Sequence, residues 1–340
     1  MHLLPHRTRH SANRVVASIL ALAVGMTVAA CGSTAPTASS AAPSPSASVD
    51  ATSAAAVSFP ITVTHHRGTT EIPAAPQRVV ALDNSLVAAV AGLGVDVVGY
   101  TLDQPKLPAY LQAPETADGV SVGLLASPSL EQIAALKPDL IVSSSVRHDE
   151  LYEQLAQIAP TVFTETTGPT WKENIRLVAQ ALGKQSEAEA QLAAYEKRSA
   201  AVGSEINAKA GNPTVSLVRF VAPSKPARLY GNASFPGIVL KDAGLARPAI
   251  QDIDDFMVEI SAEELTKADA DQIFYTDPSL DEYPGDSSMA TFTGSALWPA
   301  LTGTKHAISD DRWYPSVGVQ GAHLILDDLA TAFAVDPQKS

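Results

Sequence analysis

A proline-free segment near the middle of the chain constrains the fold more than any other feature. Residues 185–210 contain a single glycine, Gly203, and are otherwise rich in Ala, Glu, Gln and Lys. This composition favours one continuous helix, which would measure about 39 Å, and the run Gly211, Asn212, Pro213 would end it. Its predicted apolar stripe consists of Ala190, Ala193, Ala194, Val202 and Ile206. Such a helix either joins two lobes as a stiff strut or lies on the surface of one larger domain.

Short apolar strands alternate with helical segments on both sides of this predicted helix. In the first half, strands are predicted near residues 78–82, 95–100, 139–142 and 160–163, with helices near 86–93, 130–136 and 149–159. A similar set begins with a strand over residues 214–220. This alternation predicts the α/β class, with mainly parallel sheets covered by helices on both faces.

A weak internal repeat indicates that the two halves are related. The stretch from Ser129 to Asp139 aligns without gaps with the stretch from Ser261 to Asp271, 132 positions later. In both copies a serine precedes a short helix as a potential N-cap, and an aspartate opens the next strand. The repeat predicts two pseudo-symmetric lobes, residues 59–184 and 211–340, joined by helix 185–210, with a ligand cleft between them.

The first thirty residues are typical of an export signal. Arg7, Arg9 and Arg14 precede an apolar run over residues 15–30, which is shorter than the roughly 20 residues of a membrane-spanning helix. The run ends beside Cys31, so its end resembles a bacterial lipobox, in which the cysteine is lipidated. Residues 31–58 are then a lipidated cysteine and a Ser/Ala/Pro tether. The alternative is ordinary cleavage after the alanines, with the cysteine unused.

Composition excludes several other functions. Cys31 is the only cysteine, which rules out a disulfide framework or a cysteine-ligated cluster. The formal net charge of −13 argues against nucleic-acid binding. The sequence has no His-Glu-x-x-His metal motif, and we expect no enzymatic activity.

Several segments together carry a resemblance to a known family. They include residues 59–63, 76–82, 136–141, 228–232 and 310–314. In this order, and behind a lipobox, they resemble the substrate-binding proteins of bacterial ABC importers for ferric siderophores, haem and cobalamin. Within that group the chain looks most similar to ferric hydroxamate-type siderophore binders of Gram-positive bacteria. The resemblance covers residues 59–329.

The resemblance implies a monomer anchored by lipid on the extracytoplasmic face of the cell membrane. It would bind a ferric siderophore in the cleft and deliver it to an ABC permease with a cytoplasmic ATPase. No cofactor is implied, because the siderophore's own oxygens hold the iron. Haem or cobalamin on the same fold is the alternative cargo, and Tyr230 could then serve as an axial haem ligand.

Two arginines are the main candidates for contact with an oxygen-rich chelate. Arg147 follows the strand near residues 140–143, and ligands of open α/β sheets bind beyond the carboxyl ends of strands. A surface ion pair with Asp149 or Glu150 is the alternative. Arg219 lies in an otherwise apolar strand, where a charge must be paired or face a cleft. The resemblance places an arginine of this strand on the ligand.

The remaining ligand-binding candidates are mostly aromatic. Tyr230 lies in a segment that the resemblance places along the cleft. Trp313 and Tyr314 follow an acidic turn, and an exposed tryptophan there would suit a lid on the ligand. Packing in the interior is the alternative for each aromatic residue. Asn84, after the strand near residues 79–82, is a further polar candidate.

The repeat also carries a pair of acidic residues. Glu131 and Glu263 occupy matching positions at the start of the two repeated helices. In the resembling family, one glutamate on each lobe docks into an arginine pocket of the permease. Acids also favour the first turn of helices in general, and Glu264 could take the place of Glu263.

Overall fold

The computed structural model describes residues 57–103, 106–221, 225–278 and 288–339. The predicted signal, Cys31 and the tether up to residue 56 lie outside this range. The strands are β1 Ile61–His65, β2 Gly68–Ile72, β3 Val79–Ala81, β4 Val97–Leu102, β5 Val120–Leu124, β6 Ser127–Pro128, β7 Leu140–Ser144, β8 Thr161–Thr164, β9 Val215–Arg219, β10 Ala227–Tyr230, β11 Met257–Ile260, β12 Gln272–Thr276 and β13 Thr304–Ala307.

Helices connect these strands and cover the sheets. They are α1 Asn84–Gly92, α2 Leu130–Ala135, α3 Ser145–His148, α4 Tyr152–Ala156, α5 Trp171–Leu182, α6 Gln185–Ala210, α7 Phe235–Asp242, α8 Met289–Thr293, α9 Leu297–Ala300, α10 Asp310–Trp313 and α11 Val319–Phe333. Short 3-10 helices include Ala262–Ala268, which follows β11. In the described part of the chain, none of the helices combines the length and apolar character needed to cross a bilayer.

The N-terminal lobe contains a six-stranded sheet in the order β6-β5-β4-β3-β7-β8. Every pairing from β5 to β8 is parallel, and only the short edge strand β6 runs antiparallel to its neighbour. β7 is buried along its whole length, as expected for a parallel strand covered on both faces. The prediction of an α/β fold with parallel-rich sheets is confirmed.

The C-terminal lobe contains a five-stranded sheet in the order β11-β10-β9-β12-β13. β12 pairs in parallel with β9 and β13, but β10 runs antiparallel to both β9 and β11. The sheet is therefore less parallel than predicted. For β9 and β10 the reason is their connection, which is too short for a helical crossover and so returns the chain antiparallel.

The sequence repeat corresponds to the same local structure in both lobes. Ser129 caps α2 by accepting a bond from the amide of Gln132, and Ser261 forms a capping box with Glu264 at the start of the 3-10 helix. The Asp139 carboxylate accepts bonds from the backbone before β3, and Asp271 does the same before β9. The repeated strands β7 and β12 therefore occupy equivalent positions, each beside the first strand of its sheet.

The long helix α6 has the predicted bounds, but its buried face differs from the predicted stripe. Ala190, Ala193 and Ala194 are exposed. The buried positions are Ala188, Leu192, Tyr195, Ser199, Val202, Gly203 and Ile206. Tyr195 packs edge-to-face on Trp171 of α5, and its hydroxyl donates to Asp242 of α7 at 2.7 Å. The helix thus packs against both lobes, within one apolar cluster that includes Val79 of the N-terminal sheet and Phe274 of the C-terminal sheet.

Gly203 lets α6 approach the C-terminal lobe closely. A methyl group at this position would overlap the carbonyl oxygen of Ala243, which is backbone and cannot rotate away. We expect Gly203→Ala to lower the free energy of unfolding by about 1–3 kcal/mol, although alanine is the better helix former. Denaturant unfolding would measure this loss. Ser204→Ala, at the next and exposed position of the same helix, is the control and should be neutral or slightly stabilising; a similar gain for Gly203→Ala would contradict the close contact.

Candidate functional site

A cavity of about 530 Å³ lies between the two lobes. On the N-terminal side its walls come from segments that follow five neighbouring strands, β3, β4, β5, β7 and β8. These segments contribute Asp83 and Asn84, Asp103, Leu125, Val146 and Arg147, and residues 166–169 respectively. The carboxyl ends of parallel strands meet at one edge of a sheet, which is where ligands of such sheets bind. The cavity is the candidate ligand site.

Arg147 lies in α3, directly after β7, and lines the cavity. Its Nε donates to the Asp83 carboxylate at 3.0 Å, and the pair joins two neighbouring strand ends. The arginine side chain is 42% exposed whereas the aspartate is 6% exposed. Among the described residues, the two Nη groups of Arg147 have no partner. They are available as donors to a ligand.

Arg219 ends β9 and lines the cavity from the opposite lobe. Its Nε and Nη2 donate to the two carboxylate oxygens of Asp310, each at 2.7 Å, and Nη1 donates to the Tyr230 hydroxyl at 3.2 Å. Burial opposes the charge of Arg219, but the bonds and charge of Asp310 outweigh it and raise the pKa of the guanidinium. The arginine therefore stays charged in a fixed orientation.

Aromatic rings form the wall of the cavity around Arg219. The guanidinium carbon lies 4.7 Å from the centre of the Tyr314 ring, a cation–π contact. Tyr230 packs on Tyr314 and, on its other side, edge-to-face on Phe256. Burial, followed by the nearby Tyr230, raises the pKa of Tyr314 well above its usual value, so its hydroxyl stays protonated. Phe256 is 49% exposed and extends this apolar surface towards solvent.

Trp313 does not have the exposure expected of a lid. The side chain is fully buried, stacks on Phe274 at 5.2 Å and donates its indole N–H to Asp328 of α11 at 2.8 Å. Residues 310–313 form the short helix α10 instead of a loop. This helix places the Trp313 side chain in the core. Asn84 does line the cavity, and its amide donates to Asp103 at 3.1 Å.

Sequence reasoning missed several cavity residues. The main ones are Asp83, Asp103, Phe235, Phe256 and the loop 166–169. The rule that pointed to Arg147 would have found Asp103 and the loop, because both directly follow strands. Phe256 directly follows Asp254 and Asp255, and an aromatic residue beside such a polar run is a signal for an exposed contact.

Glu131 and Glu263 are both exposed, at equivalent positions on the two lobes. Bonds from its own amide and from Ser261 lower the pKa of Glu263, which keeps it ionised. Glu264 differs, because its carboxylate forms an ion pair with Lys267 in addition to accepting a bond from the Ser261 amide. This geometry favours Glu263 over Glu264 as the available acid.

One possible sign of enzymatic chemistry has a structural explanation. Residues 119–123 have the letters Gly-x-Ser-x-Gly, but Ser121 lies within β5 rather than on a strand-to-helix turn, and it is exposed. In the described ranges, no group of three or more His, Cys, Asp or Glu side chains is arranged to hold a metal ion.

Comparison with known proteins identifies the family. Residues 79–304 match the family model described as periplasmic binding protein. The chain is 36% identical over 286 residues to the probable siderophore-binding lipoprotein YfiY of Bacillus subtilis, covering 80% of this chain and 87% of the relative. It is 29% identical over 270 residues to the Fe(3+)-citrate-binding protein YfmC of the same organism, covering 77% and 82%.

A solved structure supports the same assignment. Staphylococcus aureus SirA complexed with staphyloferrin B superposes with a TM-score of 0.71 and 31% identity, covering 82% of this chain and all of SirA. The chain belongs to the periplasmic binding protein family, and it is a binding protein rather than an enzyme.

Proposed function

We propose that this protein binds a ferric siderophore in the cavity between its lobes and delivers it to an ABC permease for iron uptake. The observation that carries the proposal is the convergence of Arg147 and Arg219 from opposite lobes on one cavity. Both guanidiniums present planar N–H donors, which match the oxygen atoms of a chelate. The aromatic wall of Tyr230, Tyr314 and Phe256 suits the apolar scaffold of the same ligand.

The cargo we propose is a hydroxamate-type ferric siderophore. A hexadentate siderophore fills the coordination sphere of the iron, so the protein needs donors and apolar surface rather than metal ligands. The cavity offers both, and its volume is within the range of small-molecule sites. For a haem cargo, Tyr230 is less suitable than expected, because its buried hydroxyl is already the acceptor of the Arg219 bond.

We propose further that the protein acts as a monomer held at the extracytoplasmic face of the cell membrane by a lipid on Cys31. The lipoprotein relative supports this placement, as does the position of the only cysteine after the predicted signal. Glu131 and Glu263, exposed on matching helices, would dock the two lobes onto the permease, which works with a cytoplasmic ATPase.

The experiment is a titration of the mature protein with ferric and gallium complexes of one trihydroxamate, followed by calorimetry. Gallium has the same charge as ferric iron, so equal binding of the two complexes is expected if the protein contacts the chelate. Arg147→Ala should weaken binding at least tenfold, through loss of a charge-assisted bond.

Arg176→Ala is the matched control, since Arg176 is similarly exposed but pairs with Glu189 away from the cavity. It should bind as the unchanged protein does. Binding of neither complex would refute the proposed function, and a Soret shift with haemin would favour the alternative cargo.

A further inference from the structure

The two arginines of the cavity do not give it a net positive charge. Each has its own carboxylate, Asp83 for Arg147 and Asp310 for Arg219, and both carboxylate side chains are only 6% exposed. Each arginine–aspartate pair therefore presents a net charge close to zero to a bound ligand. The guanidiniums supply directed donors, but the charge that would attract a polyanion is largely compensated.

Asp103 adds an uncompensated negative charge to the same cavity. It directly follows β4, is exposed, and accepts a bond from the amide of Asn84. No cation pairs with it within the part of the chain that the structure describes. It also lines a second, adjoining cavity of about 500 Å³, which shares Arg147, Val146 and Leu125 with the first. A ligand in either cavity would lie next to this carboxylate.

The environment of Tyr110 is consistent with this electrostatic character. Its hydroxyl donates across the lobes to the carbonyl of Pro315 at 2.7 Å. Burial and then the charges of Asp83, Asp103 and Asp311 raise its pKa well above the usual value. The negative charges of Asp83, Asp103 and Asp311 therefore all act on the Tyr110 hydroxyl, which joins the two lobes.

We propose that Asp103 is a specificity-determining residue, which makes the cavity select ferric chelates of zero or positive net charge over multiply anionic ones. The inference rests on the proposed function and adds the charge class of the ligand. Ferric iron with three hydroxamates sums to zero, whereas ferric iron with three catecholates carries three negative charges. Repulsion by Asp103 grows with each negative charge of the ligand.

The test uses one linear ferric trihydroxamate with three different pendant groups: an ammonium, an acetamide and a carboxylate, giving net charges of +1, 0 and −1. A ferric tris-catecholate extends the series to −3. For the unchanged protein, affinity should fall from the chelate of charge +1 to the chelate of charge −3. Asp103→Asn should reduce this fall by about fivefold per unit of ligand charge, which is the size expected for one solvent-exposed charge about 4 Å from the ligand charge when water screens the pair.

Asp96→Asn provides a matched control. Asp96 is exposed and directly precedes β4, whereas Asp103 follows the same strand at its other end, about 20 Å away. It should leave the charge series unchanged. Raising the salt concentration should flatten the series for the unchanged protein more than for Asp103→Asn.

The outcomes separate this inference from the proposed function. If the protein binds all four chelates with no dependence on charge, or binds the anionic ones more tightly, the inference is overturned while siderophore binding stands. An equal effect of Asp96→Asn and Asp103→Asn would also overturn it. If no ferric chelate binds, the proposed function fails and the inference fails with it.

Discussion

Asp310→Ala is expected to lower the free energy of unfolding by about 3–5 kcal/mol, because it leaves the Arg219 guanidinium buried without a counter-charge. Asp310 accepts both bonds of a bidentate pair with Arg219, and the arginine side chain is only 21% exposed. Denaturant unfolding would measure the loss. Siderophore affinity should fall at least tenfold as well, since Arg219 would no longer be held towards the cavity.

A double variant separates the two effects. Arg219→Met combined with Asp310→Leu removes both charges, and buried ion pairs replaced in this way often regain their stability. We expect stability close to that of the unchanged protein, but affinity as low as in the single variant, because the donor to the ligand is gone. Full affinity in the double variant would show that Arg219 supports the fold and does not bind the cargo.

The architecture could be predicted where local sequence determines it. The bounds of α6 follow from the absence of proline and from Gly211 at its end, which adopts the left-handed conformation that glycine favours. The repeat predicted two related lobes because each of its serines caps the helix that it directly precedes, which is a local interaction. These features depend on few contacts that are distant in sequence.

The buried face of α6 could not be predicted from its alanines. Alanine tolerates both exposed and buried positions, so Ala190, Ala193 and Ala194 carried little information about orientation. The large side chains Leu192 and Tyr195 determine which face is buried, because they supply most of the apolar area. An apolar stripe predicted from the largest side chains of the helix would have matched the buried face.

In the cavity, the sequence indicated individual residues better than their pairing. Arg147, Arg219, Tyr230, Tyr314 and Asn84 all line the cavity, and their binding to a ligand stays a prediction. Their acidic partners are distant in sequence, with 64 positions between Asp83 and Arg147 and 91 between Arg219 and Asp310. Only the folded chain reveals that both arginines are already compensated, and this changes the expected charge of the cargo.

Replacing Glu131 and Glu263 together by alanine is expected to abolish siderophore uptake by cells, while ligand affinity of the purified protein stays within about twofold. Both acids are exposed, and neither lines the cavity. Each would lose a charge-assisted bond to the permease, so the two losses together should weaken docking at least about 100-fold. Uptake of radiolabelled ferric siderophore and calorimetry of the purified variant measure the two quantities.

The matched control removes one exposed acid from each lobe elsewhere, through Glu153→Ala with Asp254→Ala. It changes the net charge by the same amount and should leave uptake normal. Normal uptake would show that the positions of Glu131 and Glu263 matter, and not only the total charge of the protein. Glu264→Ala should reduce stability slightly through loss of the capping box, with normal uptake, because its carboxylate is bonded within the protein. Loss of affinity in the Glu131 and Glu263 variant would show that these acids act on the cargo, and normal uptake would show that docking does not depend on them.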